Sequence, residues 1–135
     1  MTTPAEEKFT IAFRQFSKAA FRFEQSLTAA PTELHRDAAI QRFEFTMDLA
    51  WKTLQAYLEA FKGIKKTSPK DCFRQAYRER LIDYDEVWLH YVDVLNQTSH
   101  SYNEETAQTV YQELPQVLKH VKILLDCLTK AARGR

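Results

Sequence analysis

Glycine is almost absent from this chain, and that scarcity restricts the folds it can adopt. The two glycines, Gly63 and Gly134, are accompanied by four prolines in 135 residues. Tight β-hairpins need glycine at positive φ, and loops that cradle phosphates or dinucleotides need several closely spaced glycines. The composition therefore excludes loops of those kinds and predicts long helices joined by few turns.

Apolar residues recur at helical spacing in two long stretches of the chain. In both stretches they step by three and four residues, which places them on one face of a helix. The first series is Ile40, Phe43, Met47, Ala50, Leu54, Tyr57 and Phe61, and the second is Val110, Leu114, Val117, Val121, Leu124 and Leu128. We therefore expect an all-α protein, an up-and-down four-helix bundle with an additional short helix, forming a single domain over residues 1–135.

The expected helix starts are marked by residues whose side chains can cap free backbone N–H groups. Pro4 suits the first turn of the first helix, and the predicted N-caps of the later helices are Thr32, Ser68, Asp83 and Asn103. Five phenylalanines lie between residues 9 and 23, more than one narrow buried stripe requires. The first helix therefore has either a broad core face or a second apolar face toward a neighbouring helix or subunit.

The expected helix ends are marked by glycine, proline and loss of periodicity. Gly63 predicts the end of the second helix, and the third is expected to end near Leu81 and Ile82. Pro115 lies inside the last apolar series, so a kink or break is expected after Leu114. The tail is expected to be frayed from about residue 130.

The charge of the chain is nearly balanced, with a formal net charge of +1. This value predicts neither strong attraction to nucleic acid nor repulsion from it. Basic residues nevertheless gather along one segment, at Lys62, Lys65, Lys66, Lys70, Arg74, Arg78 and Arg80. Such a run indicates either a solvated helix face or a surface that meets an acidic partner or a phosphate.

The cysteines and the ends of the chain indicate the expected cellular compartment. Cys72 and Cys127 form no C-x-x-C pair and are too few for a disulfide framework, so reduced thiols are expected. The first residues do not have the pattern of a signal peptide, and no run of apolar residues is long enough to cross a bilayer. We expect a soluble, cytoplasmic protein that does not bind membranes.

Several kinds of catalytic or metal site lack their residues in this sequence. The four histidines show no i, i+4 pairing and no H-E-x-x-H motif, so no metal is expected. A nucleophile elbow and the Glu-x-x-His pairs of di-iron bundles are also missing from the sequence. We expect no metal and no cofactor.

The polar stretch from residue 95 to residue 105 is the best candidate for a site. It carries His100 and Tyr102, with Asn96 one helical turn before the histidine and the hydroxyls of Thr98 and Ser99 between them. An imidazole can exchange a proton with a ribose 2′-hydroxyl near neutral pH, and amide and hydroxyl groups can orient a phosphate. The alternative is that these polar groups only cap two helix ends.

Three segments together resemble the nucleotidyltransferase substrate-binding protein family, which belongs to the HEPN superfamily and is related to HepT toxins. They are RFEFTMDLAWKTL at residues 42–54, SPKD at residues 68–71 and NQTSHSYNEET at residues 96–106. The similarity runs from about residue 8 to residue 128. It implies a helical bundle that forms a homodimer and acts with a minimal (MNT-type) nucleotidyltransferase encoded by a neighbouring gene.

The resemblance also implies roles for individual residues. HepT-type relatives are metal-independent ribonucleases of toxin–antitoxin pairs, inhibited when the partner adenylylates a motif tyrosine. The superfamily motif is an arginine, four to six further residues and a histidine, often followed two residues later by that tyrosine. His100 and Tyr102 match the histidine and the tyrosine, and Asn96 matches the polar residue that commonly follows the arginine.

The motif arginine does not match, because its position is occupied by Leu95. A neutral side chain cannot supply the permanent positive charge that would stabilise a developing phosphorane. Arg22, Arg42, Lys52 and Arg74 are the candidates for a substitute cation from another helix, and Arg42 and Lys52 are predicted ligand-binding residues with Thr98 and Ser99. The sequence therefore predicts a non-catalytic partner subunit that binds nucleotide or RNA. The alternative is a ribonuclease that uses His100 and Asn96 and is inhibited by modification of Tyr102.

Overall fold

The computed structural model of the protein describes residues 2–100 and 103–134, apart from the side chain of His100. Five α-helices follow one another: α1 Pro4–Leu27, α2 Glu33–Tyr57, α3 Pro69–Arg78, α4 Glu86–His100 and α5 Glu104–Arg133. A single π-helical turn, Leu58–Lys62, extends α2. The all-α bundle with one short additional helix, α3, confirms the fold expected from the sequence.

Helix α2 is the central element, because it contacts each of the other four helices. Its apolar series forms the middle of the core, and Phe43, Met47, Ala50 and Leu54 are all at most 1% exposed. The apolar series of α5 is buried to the same degree over its whole length. The two series identified in the sequence are thus the main packing faces of the bundle.

Two threonines allow α1 and α2 to pack closely. The hydroxyl of Thr46 lies 2.7 Å from the carbonyl oxygen of Arg42 and 3.3 Å from that of Ala19 on α1. Further along α2, the hydroxyl of Thr53 lies 2.6 Å from the carbonyl oxygen of Leu49 and 3.2 Å from that of Ala12. The pairing of later α2 residues with earlier α1 residues shows that the two helices are antiparallel.

Four of the predicted N-terminal features are confirmed. Thr3, just before Pro4, accepts a hydrogen bond from the backbone N–H of Glu6. The side chains of Thr32, Ser68 and Asn103 cap α2, α3 and α5 through the N–H groups of the third residue after each. Gly63 ends the extended α2 with φ of 66°, a left-handed conformation that glycine adopts without strain.

The segment between α3 and α4 differs from the prediction. Helix α3 ends at Arg78 rather than near Leu81, because Arg80 takes a left-handed conformation with φ of 59°. The N–H groups of Arg80 and Leu81 then bond to the carbonyls of Tyr77 and Ala76, the pattern of a Schellman motif. A left-handed conformation costs a non-glycine residue about 1–2 kcal/mol. The predicted cap at Asp83 was also wrong, because α4 begins at Glu86, directly after Asp85.

Helix α5 is longer than expected. It runs through Pro115 without a break, because the buried residues before and after the proline, Leu114 and Val117, pack on one continuous face. Its helical backbone continues to Arg133, so the tail is not frayed from residue 130 as expected. Lys130 lies 3.0 Å from Asp126, an i, i+4 ion pair that supports the last turns.

Candidate functional site

The last turn of α4 is fixed to α2 through Thr98. This side chain is 7% exposed, and its hydroxyl lies 3.0 Å from Oε2 of Glu44 on α2 and 2.7 Å from the carbonyl oxygen of Leu95. In the structure Thr98 pairs with Glu44 and positions the end of α4. The ligand-binding role expected of Thr98 from the sequence stays a prediction.

The remaining predicted residues of this turn face outward or lie beyond the described part of the chain. Asn96 and Ser99 are exposed, and the hydroxyl of Ser99 lies 3.3 Å from the carbonyl oxygen of Leu95. His100 is the last residue of α4, which places its backbone one helical turn after Asn96. The side chain of His100 and all of Ser101 and Tyr102 lie outside the described residues.

An arginine that the sequence analysis missed joins α2 to the start of α5. The guanidinium of Arg36 donates to both carboxylate oxygens of Glu104, at 2.6 and 3.0 Å, and it is 6% exposed. It also lies 3.3 Å from Asp37 and 3.4 Å from Oε1 of Gln108. The sequence indicates that Arg36 is buried only through its position, because it lies four residues before Ile40 and so continues the buried series of α2.

The bond between Arg36 and Glu104 fixes the charge state of both groups. Hydrogen bonding to Arg36 lowers the pKa of the Glu104 carboxyl, and the same bond raises the pKa of Arg36 above its already high usual value. Glu104 is also in the first turn of α5, where a carboxylate interacts favourably with the helix dipole. The positive charge nearest the start of α5 is therefore permanent but neutralised by a bidentate carboxylate.

A shallow groove of about 530 Å³ borders the end of α4. Its lining comes from the first half of α2 and from Thr98, and it comprises Leu34, Asp37, Ala38, Ile40, Gln41, Glu44 and Thr98. Two carboxylates and no cation are among these lining residues. Asp37 pairs with Arg36 and Glu44 contacts Thr98, so both carboxylates already have partners.

The predicted substitute cations lie elsewhere in the described structure. Lys52 pairs with Asp48 at 2.8 Å and is eight residues beyond Glu44, about 12 Å along α2. It lines a different groove of about 560 Å³ between α1 and α2, together with Lys8 and Ile11. Lys52 and Thr98 therefore line different grooves, and the ligand-binding role of Lys52 stays a prediction.

Arg42, Arg74 and Arg22 likewise do not line the groove beside Thr98. Arg42 is two residues before Glu44, and side chains two apart on a helix point to different faces. Arg74 pairs with Asp71 within α3 at 3.2 Å, and Arg22 lines a pocket on α1 with Phe21. At the α4–α5 junction (residues 95–105) the structure brings Thr98 to Glu44 and Arg36 to Glu104. The roles predicted for Arg42, Arg74 and Arg22 stay predictions.

A second polar cluster lies between α4 and α5. The hydroxyl of Tyr91 lies 2.9 Å from Nδ1 of His120, and His90 lies 2.6 Å from Glu113. Burial and the nearby Glu113 raise the pKa of Tyr91 to about 12, so its phenol stays protonated at neutral pH. Trp88 packs edge-on against both Tyr91 and His120, so this cluster cross-links α4 and α5, with Tyr91 buried and His90 exposed.

A metal-ligand cluster and a membrane-spanning helix are both absent from the described part of the chain. Among those residues, no three histidine, cysteine, aspartate or glutamate side chains come together as metal ligands would. None of the described helices is both long and apolar enough to cross a membrane.

Comparison with known proteins shows which family the chain belongs to. Residues 7–130 match the model of the family described as "nucleotidyltransferase substrate binding protein like". The chain belongs to this family. The match includes all five helices except the first turn of α1 and the last turn of α5, so every residue of the junction lies within it.

Two relatives of this family member are informative. A Haemophilus influenzae protein named probable ribonuclease HepT is 35% identical over 94 residues, which span 67% of this chain and 64% of that protein. A crystal structure of a Thermus thermophilus protein has a TM-score of 0.77 and 34% identity, covering 82% of this chain and 96% of that one. The first similarity agrees with a HepT-like member of the nucleotidyltransferase substrate-binding family, and the second supports the helical-bundle fold.

Proposed function

We propose that this protein is the non-catalytic, substrate-binding partner of a separate minimal nucleotidyltransferase encoded by a neighbouring gene. The observation that carries the proposal is the family match over residues 7–130. In this role the protein works as a cytoplasmic homodimer with all 135 residues in one domain, and it presents a nucleotide or RNA beside the α4–α5 junction. Asn96, Gln97 and Ser99 are exposed polar residues in the last turn of α4.

The electrostatics of the junction support a binding role over a catalytic one. Leu95 occupies the position of the motif arginine, and the guanidinium of Arg36 is neutralised by Glu104. Removing one group that stabilises transition-state charge typically lowers an enzyme's rate by about 10²–10³-fold. A junction without a free cation among its described residues is thus poorly suited to stabilise a phosphorane.

Exposed apolar residues on α1 and α2 support the assembly part of the proposal. Ile11 is 56% exposed, Phe21 60% and Phe45 50%. Trp51 is half-buried on α2, and Lys52 lies over its ring at 6.0 Å. Large apolar side chains left in solvent by a single chain are the kind of surface that a second subunit or a partner covers.

Co-expression with the neighbouring nucleotidyltransferase tests this proposal. With an affinity tag on the transferase, we expect this protein to co-purify in a fixed ratio and to elute with it as one species in size-exclusion chromatography. The same transferase expressed with an unrelated helical bundle is the control. Separate elution of the two proteins at micromolar concentration would rule out the partner role.

The alternative is a metal-independent ribonuclease, favoured by the similarity to the protein named probable ribonuclease HepT. In this case His100 exchanges a proton with the ribose 2′-hydroxyl, Asn96 orients the phosphate, and adenylylation of Tyr102 by the transferase inhibits cleavage. RNA cleavage should then persist in EDTA and disappear in His100→Ala. His90→Ala is the matched control, because His90 is an exposed histidine on the same helix.

The two candidate functions give different results in one set of assays. A non-catalytic subunit leaves RNA intact, and equal cleavage by the wild type and His100→Ala would indicate a contaminating nuclease. A gain of the mass of AMP on the peptide that contains Tyr102, after co-expression, would favour the ribonuclease. An unmodified peptide combined with a stable complex would favour the binding subunit.

A further inference from the structure

A depression of about 410 Å³ lies where α3 ends, far from the α4–α5 junction. It is lined by Tyr77, Arg78, Arg80, Ile82 and Asp83. Helix α4 lies between the depression and the junction. Its first and last residues, Glu86 and His100, are about 21 Å apart along the helix axis. The depression is therefore a separate surface, and what it binds does not depend on the function proposed for the junction.

Arg80 occupies a backbone position at which glycine would be unstrained. Its φ of 59° is that of the residue after the helix cap in a Schellman motif, where glycine is by far the most common residue. Among the described residues it is the one non-glycine residue with positive φ. An arginine held in this conformation places a guanidinium at the edge of the depression at a cost to stability, which points to a use for that side chain.

Glu79, the residue between the two arginines, pairs with neither of their guanidiniums among the described contacts. Glu79 lies 3.1 Å from the amide nitrogen of Gln75 and 3.9 Å from Nζ of Lys62. Arg78 donates to the amide oxygen of Gln75 at 3.3 Å, which leaves its charge uncompensated. Within the described residues, no hydrogen bond or ion pair is made by the guanidinium of Arg80.

Two other lining residues, Tyr77 and Asp83, carry groups suited to the base and the ribose of a nucleoside. Tyr77 is 48% exposed at the depression, and an exposed phenol ring offers a face on which a base can stack. Asp83 is exposed, and its carboxylate can accept hydrogen bonds from ribose hydroxyls. The volume is within the range of pockets that hold a ligand the size of one nucleotide.

We propose that this depression binds a ribonucleoside 5′-phosphate, with the Arg78 and Arg80 guanidiniums on the phosphate, Tyr77 against the base and Asp83 at the ribose. Guanidiniums form paired, charge-assisted hydrogen bonds with phosphate oxygens, which a lysine cannot reproduce in the same geometry. The conformational strain at Arg80 thereby has a functional reason.

Titration of the full-length protein with AMP, monitored by isothermal calorimetry, tests the proposal. We expect saturable binding below ~5 mM for the wild type, weakened about tenfold or more in Arg80→Gly. The melting temperature of Arg80→Gly should rise by about 2 °C, because glycine relieves the left-handed strain. Weaker binding by a more stable protein separates a ligand-binding role from a structural one.

Arg14→Ala is the matched control, since it removes the same charge from an exposed position on α1. AMP affinity in this control should change by less than about twofold. A second variant, Tyr77→Leu, should weaken AMP binding while leaving the much weaker binding of inorganic phosphate unchanged. Absence of AMP binding in the wild type, or equal AMP affinity in the wild type and Arg80→Gly, would overturn the proposal.

Discussion

Arginines lie near both ends of α4, and they differ in whether a carboxylate neutralises them. At its C-terminal end, Arg36 is buried and neutralised by both oxygens of Glu104. Before its N-terminal end, Arg78 and Arg80 line an open depression and have no carboxylate partner among the described residues. The comparison shows that the same residue type serves as a helix cross-link at one end and remains available to an anion at the other. The neighbouring side chains decide which of these two roles an arginine has.

Of the substitutions near the two ends of α4, replacing Arg36 should have the largest effect on stability. Arg36→Met removes the hydrogen bonds that join α2 to α5, and we expect the melting temperature to fall by roughly 6–10 °C. The fall is limited because Glu104 is 73% exposed and can be hydrated when it loses its partner. Thermal unfolding followed by circular dichroism measures the change. Arg14→Met is the control, and an equal fall in both variants would mean that Arg36 is not a cross-link.

The second prediction concerns Thr98, which fixes the end of α4 near the same arginine. Thr98→Val keeps the side-chain shape but removes the hydrogen bond to Glu44 and should cost about 1 kcal/mol. Ser99→Ala, one residue away at an exposed position, should change the free energy of unfolding by less than about 0.5 kcal/mol. Urea denaturation measures both values. Similar losses in the two variants would remove Thr98 from its anchoring role.

The third prediction is a stabilisation at the opposite end of α4. Arg80→Gly should raise the free energy of unfolding by about 0.5–1 kcal/mol, because glycine adopts positive φ without steric cost. Arg78→Gly, two residues earlier and still within α3, should lower it by up to about 1 kcal/mol. Changes of the same sign in the two variants would contradict the Schellman geometry.

The smallest expected effect is the pH dependence of the bond between Arg36 and Glu104. Because the pKa of Glu104 is lowered in the folded state, the bond stabilises the protein above the ordinary glutamate pKa of about 4.5. The stabilisation is lost as the pH falls through the folded-state value. The difference in melting temperature between the wild type and Glu104→Gln should therefore shrink from pH 7 to pH 3. A constant difference would show that the carboxylate charge contributes little.

The sequence predicted most of the fold because the relevant signals are local. Apolar spacing depends on residues three and four apart, and the caps at Thr32, Ser68 and Asn103 act on backbone groups three residues away. The same approach failed at Asp83 and at the end of α3. There the left-handed conformation of Arg80 ends the helix, although arginine has no intrinsic preference for that conformation.

The candidate site was only partly predictable, because it depends on pairings between distant residues. The sequence identified the α4–α5 junction, which the family match includes, and its resemblance to the nucleotidyltransferase substrate-binding family is confirmed. It did not identify Arg36, whose partner Glu104 is 68 residues away. The roles predicted for His100 and Tyr102 stay predictions.

The sequence by itself determined that this chain is a helical bundle, where most of its helices begin, and which family it resembles. These properties follow from backbone hydrogen bonding and hydrophobic spacing, which act over a few residues. Only the tertiary structure decided which charges are neutralised and which are available, because opposite charges attract strongly only when the fold brings them within a few ångströms and removes water. The tertiary structure therefore decided that the charge of Arg36 is neutralised and that of Arg80 is not.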